Sequence, residues 1–477
     1  MAIRRSAAVL RRRTRSEVIA IPEMPTRHSI PHVRQHSKTF ALALLAIVLI
    51  GGFLLATPWT AEHGQRARPI DAFFISVSAS TVSGMATVDI QRTWNFAGEL
   101  VVLILMQVGG LGFMVGASIV LQMLRRGQTR LSDQLMMQDG APTLSLREAV
   151  EMSRRIIWFT LAVEAIGAVL LAIRFSRDMP LHEAAWHGLF YAVAAFCNAG
   201  FDLTGRMESL IPYRTSITIN VVIGLLIQLG ALSFIVFEEV YQKRKWSRLS
   251  VDTRLVLLVH AVLVAGGATV FLIAEWSASL ASTPVAYRPM SALFQSVAAR
   301  SGGYATIDWS SVRAVTVFFW IGLMLIGGAS ASTAGGVKLA TVGVIAASVY
   351  STIVGREDTN VFGRRIATPI VFRAMAVVAI MMVVHFAGTL ALAVTENVIS
   401  NSDDTFESLM FEVMSGLGTV GLSNGLTPNL STLGKLVLCV VMFFGRLGPL
   451  TAVYALQRRQ RRRNPRYRLP VTPIRIG

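Results

Sequence analysis

Cysteine is almost missing from this chain of 477 residues: Cys197 and Cys439 are the only two. They stand far apart in apolar segments, which excludes a disulfide framework and any cysteine spacing that holds a metal. Cys197 reads as a small buried residue and not as a reactive thiol. Charge is also scarce, at 15% of residues, with 27 acids against 45 Lys and Arg. The sequence has no phosphate loop, no dinucleotide fingerprint and no nucleophile elbow. With no cluster of metal ligands and no nucleophile beside a base, a membrane enzyme is the weakest reading. Neither catalytic residues nor a covalent cofactor are expected.

What the chain has instead is apolar surface. Hydrophobic residues make up 53% of it and mean hydropathy is +0.56, more than a soluble core absorbs, so the chain reads as a polytopic membrane protein. A net charge of +18 suggests nucleic acid in a soluble protein, but its placement points elsewhere. Nine Lys and Arg fall within residues 1–38 and eight within 458–477, and Arg125-Arg126, Lys243-Arg244-Lys245 and Arg364-Arg365 each follow a long apolar run. By the positive-inside rule these blocks mark the cytoplasmic face of the plasma (cell inner) membrane, where they meet anionic lipid and not nucleic acid. The polar, basic start does not read as a secretory signal.

Glycine ends four short segments: Ser80-Thr81-Val82-Ser83-Gly84-Met85, Phe196-Cys197-Asn198-Ala199-Gly200-Phe201, Ala299-Arg300-Ser301-Gly302-Gly303-Tyr304 and Gly418-Thr419-Val420-Gly421-Leu422. From Gly84 to Gly200, Gly303 and Gly421 the steps are 116, 103 and 118 residues, so one unit occurs four times. Each unit reads as an apolar helix, a shorter re-entrant segment ending at the glycine, and a second apolar helix. Repeat 1 covers 39–123 (39–57, 70–83, 95–123) and repeat 2 covers 153–240 (153–174, 182–199, 212–240). Repeat 3 covers 253–354 (253–275, 289–302, 312–354) and repeat 4 covers 369–457 (369–395, 404–420, 432–457). Residues 1–38 and 458–477 form basic cytoplasmic tails, and 124–152 form a cytoplasmic linker.

The long runs reach the roughly 20 residues that cross a bilayer, and the middle segments do not. The expected fold is an all-α membrane protein: eight transmembrane helices in four helix–pore loop–helix repeats, with four re-entrant half-helices around one pseudo-fourfold pore. The half-helices enter from outside and both termini lie inside. Pro69-Ile70-Asp71, Pro180-Leu181-His182, Arg288-Pro289 and Asp403-Asp404 supply their N-terminal starts.

Irregular backbone at membrane depth is tolerated where it lines water or is buried in protein. Glycine permits the positive φ that a returning strand needs and lets four backbones approach one axis. Four such strands make a ring of carbonyl oxygens able to replace the hydration shell of a monovalent cation, and the C-terminal dipoles of the half-helices favour the same charge. Asp89, Asp202 and Asp308 follow three of the glycines and Asn424 follows the fourth. Two roles are open to the carboxylates, raising cation concentration at an outer mouth or capping loops.

Two features break the regularity. The second helix of repeat 3 would be about 64 Å long if straight, twice the hydrocarbon thickness. Its middle reads Gly327-Gly328-Ala329-Ser330-Ala331-Ser332-Thr333-Ala334-Gly335-Gly336, which opposes helix formation. A polar loop at that depth faces water and is assigned as a gate beneath the ring, with a passive hinge or a cytoplasmic extension as the competing role. Lys338 either anchors this loop or meets an acid. The second feature is Arg446, in Gly445-Arg446-Leu447-Gly448-Pro449, about 18 Å along a helix from Arg458. Burying its charge costs at least about 2.5–3.5 kcal/mol, so it reads as an electrostatic barrier in a cation path or as a structural partner of Glu164. His260 and His385 read as packing residues.

In order, the four glycine segments, Ser332-Thr333-Ala334-Gly335-Gly336-Val337-Lys338 and Gly445-Arg446-Leu447-Gly448-Pro449-Leu450-Thr451 resemble the Trk/Ktr/HKT superfamily of potassium-translocating subunits over nearly all of 39–457. The resemblance implies potassium uptake through a filter with Gly84, Gly200, Gly303 and Gly421 as selectivity residues. It implies potassium-coordinating carbonyls at Val82, Ser83, Asn198, Ala199, Ser301, Gly302, Thr419 and Val420. It also implies an intramembrane gate at Gly327, Gly328, Ser330, Ser332, Thr333, Gly335 and Gly336, with Arg446 restricting passage below the filter. Members act as homodimers with a cytoplasmic nucleotide-binding regulatory subunit in trans. Trk-type chains carry two more N-terminal helices, so the Ktr-like eight-helix form is the expectation here; Gly302 before the key glycine is a departure that loosens the third quarter.

The competing reading is a proton- or sodium-coupled secondary transporter working by alternating access. It needs a relay of intramembrane acids, and Glu164 stands nearly alone among the apolar runs.

Overall fold

A computed structural model describes residues 32–62, 67–126, 146–396 and 406–462. Most of the two basic tails, most of the linker and Asp403-Asp404 lie outside the described residues. The chain divides into two units, 1–42 and 43–477. Of the first, only the opening turns of a helix are described; the second holds the rest of that helix and all the others.

Helices dominate because long apolar runs can satisfy their backbone only internally. In chain order these are α1 (His32–Leu55), α2 (Pro69–Thr81), α3 (Phe96–Arg126), α4 (Leu146–Phe175), α5 (Leu181–Phe196), α6 (Ile217–Ala231) and α7 (Phe234–Lys243). There follow α8 (Val251–Glu275), α9 (Arg288–Ala298), α10 (Ala314–Met324), α11 (Leu339–Ile353), α12 (Thr368–Thr395), α13 (Phe406–Gly418) and α14 (Thr432–Arg462). A two-stranded hairpin, β1 (Asn360–Val361) and β2 (Arg364–Arg365), joins α11 to α12. Among the described residues, Phe96–Ser118, Val150–Phe175, Val251–Glu275 and Thr368–Thr395 are long and apolar enough to cross a membrane.

The second helix of repeat 2, expected unbroken over 212–240, is two helices. α6 and α7 meet at a 92° bend, and the Ser233 hydroxyl caps α7 by accepting from the Ile235 N–H at 3.3 Å. The bend frees the carbonyls of Gly230 and Ala231, which accept from the N–H groups of Thr333 (3.1 Å) and Ala329 (2.9 Å). That exchange is its physical cause: the broken segment of repeat 3 supplies the donors that α6 loses at Leu232. Repeat 3 is itself broken, α10 and α11 being separated by residues 325–338.

The short helices α2, α5, α9 and α13 form the buried centre, each with its C-terminal half fully enclosed. Hydroxyls tie two of them to the preceding long helix. Ser76 donates to the Val48 carbonyl at 2.7 Å and Ser296 to the Val264 carbonyl at 2.8 Å, the kind of polar tie that joins helices where apolar surface alone gives no drive.

Candidate functional site

The four short helices end alike. The residue after α2 is Val82 in the left-handed region (φ 56°), and Asn198 (59°), Ser301 (71°) and Thr419 (50°) match it. Two residues on, Gly84 (75°), Gly200 (68°), Gly303 (71°) and Gly421 (93°) are left-handed again. In three segments a bond spanning five residues closes the helix, from Ser83 N–H to Ser78 O, Ala199 N–H to Ala194 O and Val420 N–H to Ser415 O, at 2.7 to 2.8 Å; this is the glycine-type C-cap. The third differs, with Gly302 N–H bonding Ala298 O. Left-handed backbone at β-branched Val82 and Thr419 costs about 1–3 kcal/mol each and persists only where surroundings dictate it.

Side-chain positions absent from the glycines show how the segments sit. A Cβ on Gly84 would collide with the carbonyl of Ala199, and one on Gly200 would lie 3.0 Å from the carbonyl of Gly302. On Gly303 it would lie 2.8 Å from the Val420 carbonyl, and on Gly421 2.7 Å from the Ser83 carbonyl. Each glycine therefore faces the carbonyl before the next glycine, and the fourth returns to the first: the four segments close a ring. Val82, Ser83, Asn198, Ala199, Ser301, Thr419 and Val420 are buried within it. Ser301 Oγ donates to the Gly418 carbonyl at 3.1 Å, and Tyr304 Oη to the Phe201 carbonyl at 2.9 Å, joining neighbouring segments.

Directly against this ring lies the segment 325–338. Its base is pinched by Val337 N–H to Leu325 O (2.9 Å) and Gly327 N–H to Val337 O (3.0 Å). Gly327, Gly328, Ser332, Thr333, Gly335 and Gly336 are buried and Ser330 is half-buried. Thr333 Oγ1 sits 2.6 Å from the Asn198 amide and 3.2 Å from the Phe196 carbonyl. Gly335 N–H donates to Thr419 Oγ1 at 3.1 Å. The loop thus touches two ring segments through the side chains of Asn198 and Thr419.

Arg446, fully buried on α14, donates to the Thr333 carbonyl and, at 2.9 Å, to the Gly109 carbonyl. Its guanidinium also lies 4.3 Å from the Phe113 ring centre. It is held by carbonyls and an aromatic face, so the alternative pairing with Glu164 is corrected. Glu164 accepts from Gln107 Nε2 at 2.9 Å and lies 3.8 Å from Cys197 Sγ. Lys338 donates to the Ala334 carbonyl at 2.6 Å, anchoring the loop to itself.

Glu164 is not the lone buried acid. Asp71 pairs with Lys435 at 2.7 Å, both enclosed, tying α2 to α14. Glu275 takes Ser279 Oγ at 2.9 Å and the Arg313 N–H at 3.2 Å. Glu412 on α13 is fully buried. Sequence reading passes over Asp71 and Glu275 because each sits near the end of an apolar run, where a charge is unremarkable. Lys435, three residues into α14, was the available signal for Asp71.

Two of the loop carboxylates, Asp89 and Asp308, do the ordinary work of loops. Asp89 accepts from the N–H groups of Arg92 (2.9 Å) and Met207 (3.0 Å), and Asp308 from the Ser310 N–H (2.9 Å). Asp202 is half-buried. Burial first, and then the nearby charge of Asp89, pushes its carboxyl up to about 6.

Apolar helices of membrane-crossing length around a closed ring of buried irregular backbone define a multi-pass integral membrane protein. The profile of the TrkH family, described as cation transport protein, matches residues 22–461. The chain is 34% identical over 420 residues to the Ktr system potassium uptake protein B of Bacillus subtilis, covering 88% of this chain and 92% of that one. It is 32% identical over 441 residues to the potassium/sodium uptake protein NtpJ of Enterococcus hirae, covering 92% and 97%. The crystal structure of the potassium transporter TrkH from Vibrio parahaemolyticus superposes with a TM-score of 0.69 at 18% identity, over 90% of this chain and 86% of that one. That last likeness concerns the fold. The chain belongs to the TrkH family of cation transport proteins, among the membrane subunits of the Trk/Ktr/HKT superfamily.

Proposed function

We propose that this protein takes up potassium across the cell membrane through the ring of Gly84, Gly200, Gly303 and Gly421, which acts as its selectivity filter. The observation that carries the reading is the closed sequence of glycine-to-carbonyl approaches, 84 to 199, 200 to 302, 303 to 420 and 421 to 83. Carbonyls held at one spacing by left-handed backbone replace the hydration shell of one size of ion better than another. Val82, Ser83, Asn198, Ala199, Ser301, Gly302, Thr419 and Val420 supply these oxygens. The names of the relatives support potassium as the cargo, and one adds sodium.

Residues 327–336 are the gate. The loop bonds the ring residues Asn198 and Thr419 and accepts from Arg446, contacts that support reading this form as closed. Opening breaks these bonds and moves the Arg446 charge. Uptake is channel-like, with sodium dependence, a homodimer and a cytoplasmic nucleotide-binding subunit acting on the gate as further parts of the proposal. Alternating access is disfavoured because, among the described residues, buried carboxylates are fixed by local partners, Asp71 by Lys435 and Glu164 by Gln107, and do not form a relay. Expression in a bacterium lacking its own potassium uptake tests the reading: growth at limiting potassium supports it, and no rescue by well-expressed protein rejects it.

A further inference from the structure

Behind the fourth ring segment, Glu412 is buried on α13 nine residues before Gly421. Its Oε1 accepts from Ser423 Oγ (2.5 Å) and the Asn424 N–H (3.1 Å), and its Oε2 from Thr427 Oγ1 (2.6 Å). All three donors lie on the segment that leads away from Gly421, so one side chain ties the half-helix to both the segment's bend and its exit. A carboxylate suits this place because it is an acceptor on both oxygens. An amide has one acceptor and one donor group, so it keeps the Asn424 N–H only by turning its NH2 toward Thr427 Oγ1 and making that hydroxyl reverse.

The other segments carry weaker ties at the corresponding place. Tyr191, nine residues before Gly200, accepts the Leu203 N–H at 3.2 Å. Gln295, eight before Gly303, donates to Thr306 Oγ1 at 2.9 Å. In the first segment the position is Ile75, fully buried and apolar, and the hydroxyl of Thr87 opposite is buried without a partner. The series runs from three charge-assisted bonds, through one neutral bond each, to none. Charge-assisted bonds are about twice as strong as neutral ones.

We propose that Glu412 is a positioning residue for ion discrimination: it clamps the strand after Gly421, and through it the carbonyls of Thr419 and Val420, while the unclamped first segment is the one that adapts to the ion. This rests on the ring acting as the filter. Removing the clamp lets the fourth quarter adapt too, and a ring with two adaptable quarters accepts the smaller sodium ion more readily.

The test is uptake of potassium and sodium into proteoliposomes by Glu412→Gln, Thr427→Val and Ile75→Val, with Gly84→Ser measured alongside. Glu412→Gln is expected to lower the potassium-to-sodium ratio by about tenfold and to raise the KM for potassium. Thr427→Val, which removes one donor of three, is expected to shift the ratio in the same direction by less, and it decides the matter should Glu412→Gln fail to fold. Ile75→Val is expected to leave the ratio unchanged. A purely structural role lowers the amount of active protein and the maximal rate, and leaves ratio and KM alone; that result overturns the proposal. If Gly84→Ser changes the ratio and the clamp variants do not, the clamp is wrong and the filter stands. If none of them changes it, the filter reading fails as well.

Discussion

Replacing Thr333 by valine removes one hydroxyl and keeps the shape of the side chain, so it isolates the loop's polar hold on the ring. In the closed form that hydroxyl meets the Asn198 amide at 2.6 Å and the Phe196 carbonyl at 3.2 Å. The loop's backbone bonds, from Thr333 N–H to Gly230 and from Ala329 N–H to Ala231, remain. A neutral buried hydrogen bond contributes about 1 kcal/mol net, so the variant weakens closure by about 2 kcal/mol. In the opening proposed above the loop withdraws and water satisfies Asn198, so the loss falls on the closed form alone. About 2 kcal/mol is a factor of about 30 in the ratio of open to closed protein. Rubidium uptake into proteoliposomes at a fixed membrane potential and equal protein reads this directly, and the initial rate rises while closed protein predominates. An unchanged or lowered rate in protein of wild-type thermal stability means that the hydroxyl contacts do not hold the gate shut.

Gly84→Ser forces a side chain into the Ala199 carbonyl at a φ of +75°, and the potassium-to-sodium uptake ratio falls; an unchanged ratio removes Gly84 from the filter. Asp71→Asn leaves Lys435 buried beside a neutral partner and costs about 3–5 kcal/mol of stability, read as a lower melting temperature, whereas joint Asp71→Leu and Lys435→Met recovers most of it. Asp202, held up to about 6 by burial and Asp89, carries its charge above that pH and loses it below. Its folded value lies above its usual carboxylate value, so its ionisation opposes folding as pH rises toward 6, and acid removes that strain. For uptake the sign is the reverse: cation recruitment falls as pH drops from 7 to 5 with a midpoint near 6, and Asp202→Asn removes that step from the rate–pH curve.

The parts that composition controls were legible in the sequence. Apolar runs with proline at their starts mark Pro69–Thr81 and Arg288–Ala298, since proline is favoured in the first turn. The glycine intervals give the spacing of the four helix ends, because backbone with positive φ leaves a mark on residue choice. What could not be read depends on partners distant in sequence. The bend at Leu232 exists because the loop from repeat 3 supplies donors to Gly230 and Ala231, and nothing within 212–240 announces it beyond Gly230 and Ser233. Val82 and Thr419 in left-handed backbone run against local propensity and are imposed by the ring. Arg446 is conspicuous as a charge in an apolar run, yet its partners are backbone carbonyls, which sequence does not display, and so a carboxylate partner was the natural but mistaken alternative. Glu412 is hidden for the opposite reason, since an acid in a short helix invites no question until its three donors are seen.

Everything proposed for this protein turns on whether the ring passes potassium in preference to sodium. Purified protein in liposomes with an imposed inside-negative potential, supplied with potassium, rubidium or sodium one at a time, answers that without an intermediary. Potential-driven uptake of potassium and rubidium should stand well above that of sodium. Equal rates for all three ions, or no uptake driven by potential, would contradict the filter.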